Sequence, residues 1–579
     1  MRNSGVVCSE AQEYVPTHEL IPAGPVPTAF DPDGVYPYVS YSETAERPVP
    51  KKYRFVALEN DKIKVAICPD LGGRVTSIVH KGSGKEVLYV PDVIRPTRIL
   101  PRFGFVAGGI EVSFPISHSP TQHDPVLYAI DRTPQRVYVT CGERELRFGM
   151  QWCVEYSVGH DDDFLTQRTV FHNPGAATHP WMSWSNAAVP CAPDTEYHFP
   201  DGQVLAHSSR LATIDWQESG PKREADIQEM TGFFWKTKDA NAFGAFTPSR
   251  GAGLYHIADQ AIAPGMKLWS YGIGKDRAWA TLSTARQEPY LEIQGGPLAD
   301  QSIKLDLHPG ETRWHVEFWI PATKPLNIHA LEVPNVALRP VTQVPVFGWA
   351  REAEVKVWND LVHAYRSGQT PPEPPPVERC LWAPSGMEDL TVAFEWAIQM
   401  TTGDAAERWN FHYGTWLAGT GKKKAAIQVL STNSLGVGKA LLARLLLLEG
   451  DVEGAATAFR SIQEKWLHIH PQIVVARDAV LRSLGPHTLA ERETWLDHVG
   501  ALQDERIIER RVQLLIDKGE YQTAKQLLLS VSFQKVHQRY TRTGLWKQIC
   551  ERLKEPCLPL PTALGEDQLA TFGAYREFE

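Results

Sequence analysis

At 579 residues the chain exceeds what a single hydrophobic core serves, so two or more domains are expected. With 43% hydrophobic and 22% charged residues it reads as an ordinary soluble globular protein, and a formal charge of −9 argues against nucleic acid or an anionic membrane as partner. No run of eighteen apolar residues predicts a membrane-spanning helix, and Met1 to Glu10 lack the apolar stretch of a secretory signal. The eight cysteines are scattered, with no Cys-x-x-Cys pair and no zinc-like histidine spacing. Free thiols in a reducing, cytoplasmic setting are therefore expected, with no metal and no cofactor.

In chain order, residues 1–50 are rich in Pro, Ser, Thr and Glu and read as an extended arm over the main domain. Residues 51–330 have the texture of strands. Segments such as Tyr53–Asn60, Ile63–Cys68, Met150–Val158 and Trp314–Trp319 alternate or run β-branched and aromatic, with Asn60-Asp61, Asn173-Pro174-Gly175 and Pro309-Gly310 as turns between them. So many closely spaced strands predict a large antiparallel β-sandwich. Residues 331–380 read as a linker that carries a first helix, near 350–365, and the stiff run Pro371-Pro-Glu-Pro-Pro-Pro376. From 381 to 560 the pattern is helical. Blocks beginning at His412, Leu441 and Arg511 each read as helix, Gly-containing turn and helix with small residues, the grammar of tetratricopeptide-type hairpins. Such repeats brace a neighbouring domain or bind peptides, and they offer a surface for a homo-oligomer. Residues 561–579 read as a tail.

Three stretches concentrate chemistry. Gly108-Gly109-Ile110-Glu111-Val112 leads into a proline-stiffened loop holding His118 and His123. Glu111 lies between two apolar residues, where desolvation would raise its pKa and suit it to acid or base work. Trp181-Met-Ser-Trp184-Ser-Asn186 forms a second group. Tyr290-Leu-Glu292-Ile-Gln294-Gly-Gly puts Glu292 and Gln294 on one face of a strand. Eighteen tryptophans, about 3% of the chain, fill cores and also supply faces that stack on sugar rings. For each residue a structural role stands beside the functional one: core packing for Trp181 and Trp184, a salt bridge for Arg74, an edge strand for Glu292 and Gln294.

These phrases, with Leu71-Gly-Gly-Arg74 near the start, occur in an order that resembles the galactose mutarotase-like β-sandwich superfamily. More narrowly, they resemble an uncharacterised group in which such a sandwich carries tetratricopeptide-like helices; the closing Pro309-Gly-Glu…Phe318-Trp319 strand and His412-Tyr-Gly fit that group. The resemblance implies a concave sheet face that binds a sugar or oligosaccharide and acts at its anomeric centre. It implies a Glu base on the late strand, matched by Glu292, and a His acid on the middle strand, where this chain has Trp184 and Asn186 instead. Glu111, His118 and His123 are then the candidates for the acid. Arg74, Arg277 and Gln294 would orient substrate, Trp181, Trp184 and Trp279 would form a sugar platform, and His412 and His537 would close the pocket from the helical side. The expectation is a glycoside hydrolase using Glu111 as acid and Glu292 as base or nucleophile. The alternatives are an aldose 1-epimerase, or a non-catalytic binder of sugar or peptide.

Overall fold

A computed structural model describes residues 5–27, 36–97, 104–208, 211–272, 288–463, 470–499, 504–536 and 541–565. Antiparallel sheets come first and helices follow, so the molecule is a β-sandwich with an appended helical domain. Among the described residues the first sheet has twelve strands. Its middle runs Val49–Glu59, Ile63–Cys68, Arg74–His80, Ile110–Val112, Ser185–Pro190, Tyr290–Gly296, Gly265–Ser270. The second has eight, among them Gln151–Gly159, Leu165–His172 and Thr312–Ala322.

Two-residue periodicity decides which side chains enter the core. In the middle strands Ile63, Val65, Ile67, Ile110, Val112, Ala187, Val189, Leu291, Ile293, Met266 and Leu268 all point into the space between the sheets. Val137, Val139, Trp152, Val154 and Tyr156 meet them from the second sheet. Each large side chain buried there stabilises the fold by about 1.5–3 kcal/mol. The same alternation sends Glu111, Asn186, Glu292, Gln294 and Lys267 to the opposite, outer face. That face is not open to water: all five residues are buried.

The helical domain begins with Glu352–Ser367, whose Trp358 and Leu361 pack with Phe394 and Trp409 in one core, so this helix belongs with the ones after it. The three repeat-like blocks end their first helices alike. Gly421, Gly450 and Gly519 have φ of 82°, 84° and 82°. The next N–H donates back to Leu417, Leu446 and Leu515 respectively, at 2.8, 2.9 and 2.8 Å. This is the left-handed glycine cap that turns one helix into the next.

The arm does more than lie on the surface. Val7–Thr17 pairs residue for residue with Val49–Glu59 as an edge strand of the large sheet. Leu20–Pro22 pairs with Tyr41–Ala45, which also pairs with Lys535–Val536 of the helical domain. Between them, the Val26 N–H donates to Gln472 Oε1 and the Val26 carbonyl accepts from Gln472 Nε2, and the Tyr36 hydroxyl donates to the Ala383 carbonyl. The two domains meet directly where Arg351 pairs with Asp124 at 2.7 Å, and the arm is tied to the sandwich where the Leu146 N–H donates to the Tyr38 hydroxyl. Among the described residues no helix is long and apolar enough to cross a membrane.

Candidate functional site

Strand register builds a polar row across the outer face of the large sheet. Val75 pairs with Ile110, which sets Arg74 beside Glu111. Glu111 lies opposite Asn186, Asn186 opposite Gln294, and Gln294 opposite Lys267. Five neighbouring strands thus contribute Arg74, Glu111, Asn186, Gln294 and Lys267 to one line, and Glu292 lies two residues along from Gln294. Glu111 and Glu292 sit two strands apart and two residues out of register, about 12 Å between backbones.

Gly108 and Gly109, at φ 90° and 67°, bring the chain into this row. A Cβ at Gly109 would lie 2.1 Å from the Val75 carbonyl oxygen, so only glycine allows the approach. The following loop curls back over Glu111. The Ser113 hydroxyl accepts the His118 N–H at 3.1 Å, and the Ser119 N–H donates to the Glu111 carboxylate at 2.9 Å. His118 itself has φ 57°, and its Nδ1 lies 2.9 Å from Glu111 Oε2. The Asn186 amide donates to the same oxygen at 3.2 Å. Among the described residues neither His118 Nε2 nor the buried Asn186 Oδ1 has a hydrogen-bond partner.

On the other side of the row Gln294 Nε2 donates to Glu292 Oε2 at 2.7 Å, Gln301 Nε2 donates to Gln294 Oε1 at 2.8 Å, and Lys267 Nζ donates to Gln301 Oε1 at 2.8 Å. Arg74 is tied down by donating to the carbonyls of Val106 and Gly108 and to Gln122 Oε1. An aromatic cluster adjoins the row on the same face. Tyr89 stacks on Tyr290 with centroids 4.5 Å apart, Tyr271 meets Tyr290 edge-on at 5.0 Å, and Phe105 meets His118 edge-on at 5.0 Å.

The electrostatics divide the two carboxylates. Burial works to raise the Glu111 pKa, but the His118 charge and hydrogen bond, then Arg74 and the Ser119 N–H, outweigh it and bring it down to about 2. Burial raises the Glu292 pKa, opposed by the charges of His118 and Lys267 and assisted by Glu111. Burial lowers Lys267 to about 8, against the pull of Glu292. The expected rise at Glu111 is therefore corrected: its sequence neighbours desolvate it, while a histidine seven residues on holds it ionised.

Behind the row, between the sheets, Glu317 takes hydrogen bonds from Ser185 and Gln167 and contacts the Nε2 atoms of both His256 and His315 at 2.9 and 3.1 Å. Burial opposes its ionisation, and the two histidines prevail, holding its pKa well below the usual carboxylate range. Ser185 and Gly295 flank Asn186 and Gln294 in the chain, so this network braces the row from behind.

Of the residues singled out by sequence, Arg74, Glu111, His118, Asn186, Glu292 and Gln294 come together. Others do not. Trp181 packs on Phe114 and Phe171 inside the core, and Trp184 is fully buried against Phe234, so neither offers a face to a ligand. His123 is engaged 3.1 Å from Asp124, near the domain boundary, and meets Tyr41 edge-on. His412 does not face the sandwich: its Nε2 lies 3.0 Å from the Pro375 carbonyl oxygen, where it anchors the proline-rich connector, and burial lowers its pKa to about 4. Arg277, Trp279 and His537 lie outside the described residues. Sequence reading missed Lys267, Gln301 and the tyrosine cluster. The lone Lys in the alternating Gly265-Met-Lys-Leu-Trp269 strand, on the same face as Trp269, was a usable signal. Among the described residues no group of His, Cys, Asp and Glu could hold a metal ion.

Residues 30–322 match the family model described as a domain of unknown function (DUF5107), and residues 358–549 match a "-like, C-terminal domain" model. The chain is 59% identical to a TPR-domain containing protein from Parabacteroides distasonis, over 99% of this chain and 100% of that one, with a TM-score of 0.88. It is also similar to galactose mutarotase-like proteins from Lactobacillus casei, 12% identical over 46% of this chain and 99% of that one with a TM-score of 0.34, and from Clostridium acetobutylicum, 14% identical over 46% and 95% with a TM-score of 0.34. With its sandwich matched by that family model and its whole length by a close relative, the chain belongs to the DUF5107 family.

Proposed function

We propose that the polar row is the active site of a glycoside hydrolase in which Glu292 is the acid and His118 the base. The observation that carries this reading is His118 Nδ1 held 2.9 Å from Glu111 on the face that also buries Glu292, with burial raising the pKa of Glu292 while His118 lowers that of Glu111. Groups whose environments push their pKa values apart divide acid from base work between them. Glu292, with its raised pKa, keeps a proton to give to the leaving oxygen. Glu111, ionised, accepts the His118 Nδ1–H and so leaves the Nε2 lone pair free to take a proton from water. As the C1–O bond to the leaving group breaks, that water forms the new bond at C1. Attack from the face opposite the leaving group inverts the anomeric configuration. Asn186 Oδ1 supplies a hydrogen-bond acceptor for the sugar. Glu111 thereby moves from acid to orienting residue.

The test is a panel of aryl glycosides and short oligosaccharides. Cleavage by the wild-type protein, reduced about 10²–10⁴-fold by Glu292→Gln, supports the reading. Full turnover in that variant refutes it. His118 Nε2 and Glu292 Oε1, neither hydrogen-bonded among the described residues, also suit the proton exchange of ring opening. If no glycoside is cleaved while the optical rotation of freshly dissolved aldose relaxes faster, the activity is aldose 1-epimerisation.

A further inference from the structure

Beside the polar row, on the same outer face, lies a cavity of about 360 Å³. Its floor is the Val49–Glu59, Ile63–Cys68 and Arg74–His80 strands with the edge strand Val7–Thr17, and its wall is the chain around Val90–Ile94 and Val106–Gly109. Arg74 lines its inner end and is the first member of the row, so the cavity and the row share a residue. Val15, Phe55, Leu71, Val90, Ile94 and Val106 make its surface mainly apolar. Most of its inner polar groups are already committed, the buried Arg74 Nε–H excepted. Ser77 donates to Glu86, Thr76 to the Ala66 carbonyl, and the terminal nitrogens of Arg74 to Val106, Gly108 and Gln122. Lys64 and Glu13 stand at the exposed rim. A second sugar ring would bring hydroxyls that find few partners here, and a buried hydroxyl left unpaired opposes binding. A dry apolar cavity of roughly 150 Å³ accepts a benzene-sized ring, so the volume suffices for a fused aromatic system.

We infer that this cavity is a binding site for an apolar, ring-sized group, such as a fused aromatic ring, on the Arg74 side of the row. The inference stands on the cavity and does not need the hydrolytic reading of the row. The experiment is fluorescence titration of the full chain with 4-methylumbelliferone, alongside hydrolysis of a set of 4-methylumbelliferyl glycosides. Saturable one-to-one binding is expected, weakened at least about tenfold by Ala57→Phe, which fills the floor, and by Val90→Arg, which charges the exposed rim. Glu292→Gln should leave that binding unchanged while it removes hydrolysis. The subsite is overturned if 4-methylumbelliferone does not bind, or if both Ala57→Phe and Val90→Arg, melting like the wild type, bind it equally well. Binding that these variants weaken, with no glycoside cleaved by the wild type, refutes the hydrolytic reading and leaves the apolar site in place.

Discussion

Glu111 and Glu292 are the same side chain in the same kind of position, yet their pKa values move in opposite directions, burial raising Glu292 and His118 overcoming burial at Glu111. For Glu111 the folded-state pKa near 2 lies below the usual 4.5, so it contributes stability that is present above about pH 4.5 and is lost as the pH falls toward 2. About two and a half pKa units correspond to about 3 kcal/mol. Urea denaturation between pH 5 and 2 should show that loss in the wild type and a flatter dependence in Glu111→Gln. Lys267 works the other way on Glu292: its charge favours the carboxylate. In Lys267→Met the Glu292 pKa should rise further, and the alkaline limb of the pH–rate profile should move to higher pH. An unmoved limb would show that Lys267 does not set the charge of Glu292. Sequence spacing sufficed to pair Glu292 with Gln294, since residues two apart in a strand share a face. It misjudged Glu111, whose controlling partner returns through a loop with a left-handed His118, a path no periodicity encodes. The tryptophans misled for a related reason: a ring that can stack on sugar is chemically the same ring that fills a core.

At the scale of elements, legibility follows the strength of the local rule. The strands of the sandwich, and the glycine turns at 421, 450 and 519, were readable because alternation and left-handed glycine act over a few residues. The arm was read as a cover, whereas Val7–Thr17 is a full edge strand, because edge pairing depends on a partner some forty residues on. Gly109 shows how one local requirement positions the site. Gly109→Ala would place an L-residue at φ 67° and drive its Cβ into the Val75 carbonyl. A destabilisation of at least about 2 kcal/mol is expected. Catalytic activity should fall with it, since Glu111 is set by the neighbouring strand pairing. Chemical denaturation and activity assays on the same sample check both.

In the whole molecule the two domains share buried charge. Arg351, from the helical side, pairs with Asp124 and lies over the Tyr38 ring at 5.3 Å, and the charges of Asp124 and Glu143 hold its pKa above the usual arginine value. Nearby, burial raises Glu145 to about 7. Removing one partner of a nearly buried ion pair commonly costs about 3–5 kcal/mol. Arg351→Met should therefore lower the melting temperature and, in calorimetry, separate a sandwich transition from a helical one. A single transition at the wild-type temperature would mean that the domains are coupled elsewhere.

The small sheet formed by Leu20–Pro22, Tyr41–Ala45 and Lys535–Val536 also has a consequence in time. Its third strand lies about 490 residues beyond the second. At a synthesis rate of about 5–20 residues per second, a nascent chain waits roughly 25–100 s between making the two. During that interval the sandwich can fold on the ribosome, yet the Tyr41–Ala45 edge is left open to pair with another chain. The last strand is thus the latch that closes a vulnerability exposed since the first minute of translation, and messages truncated before Lys535 should yield aggregates rather than a soluble sandwich.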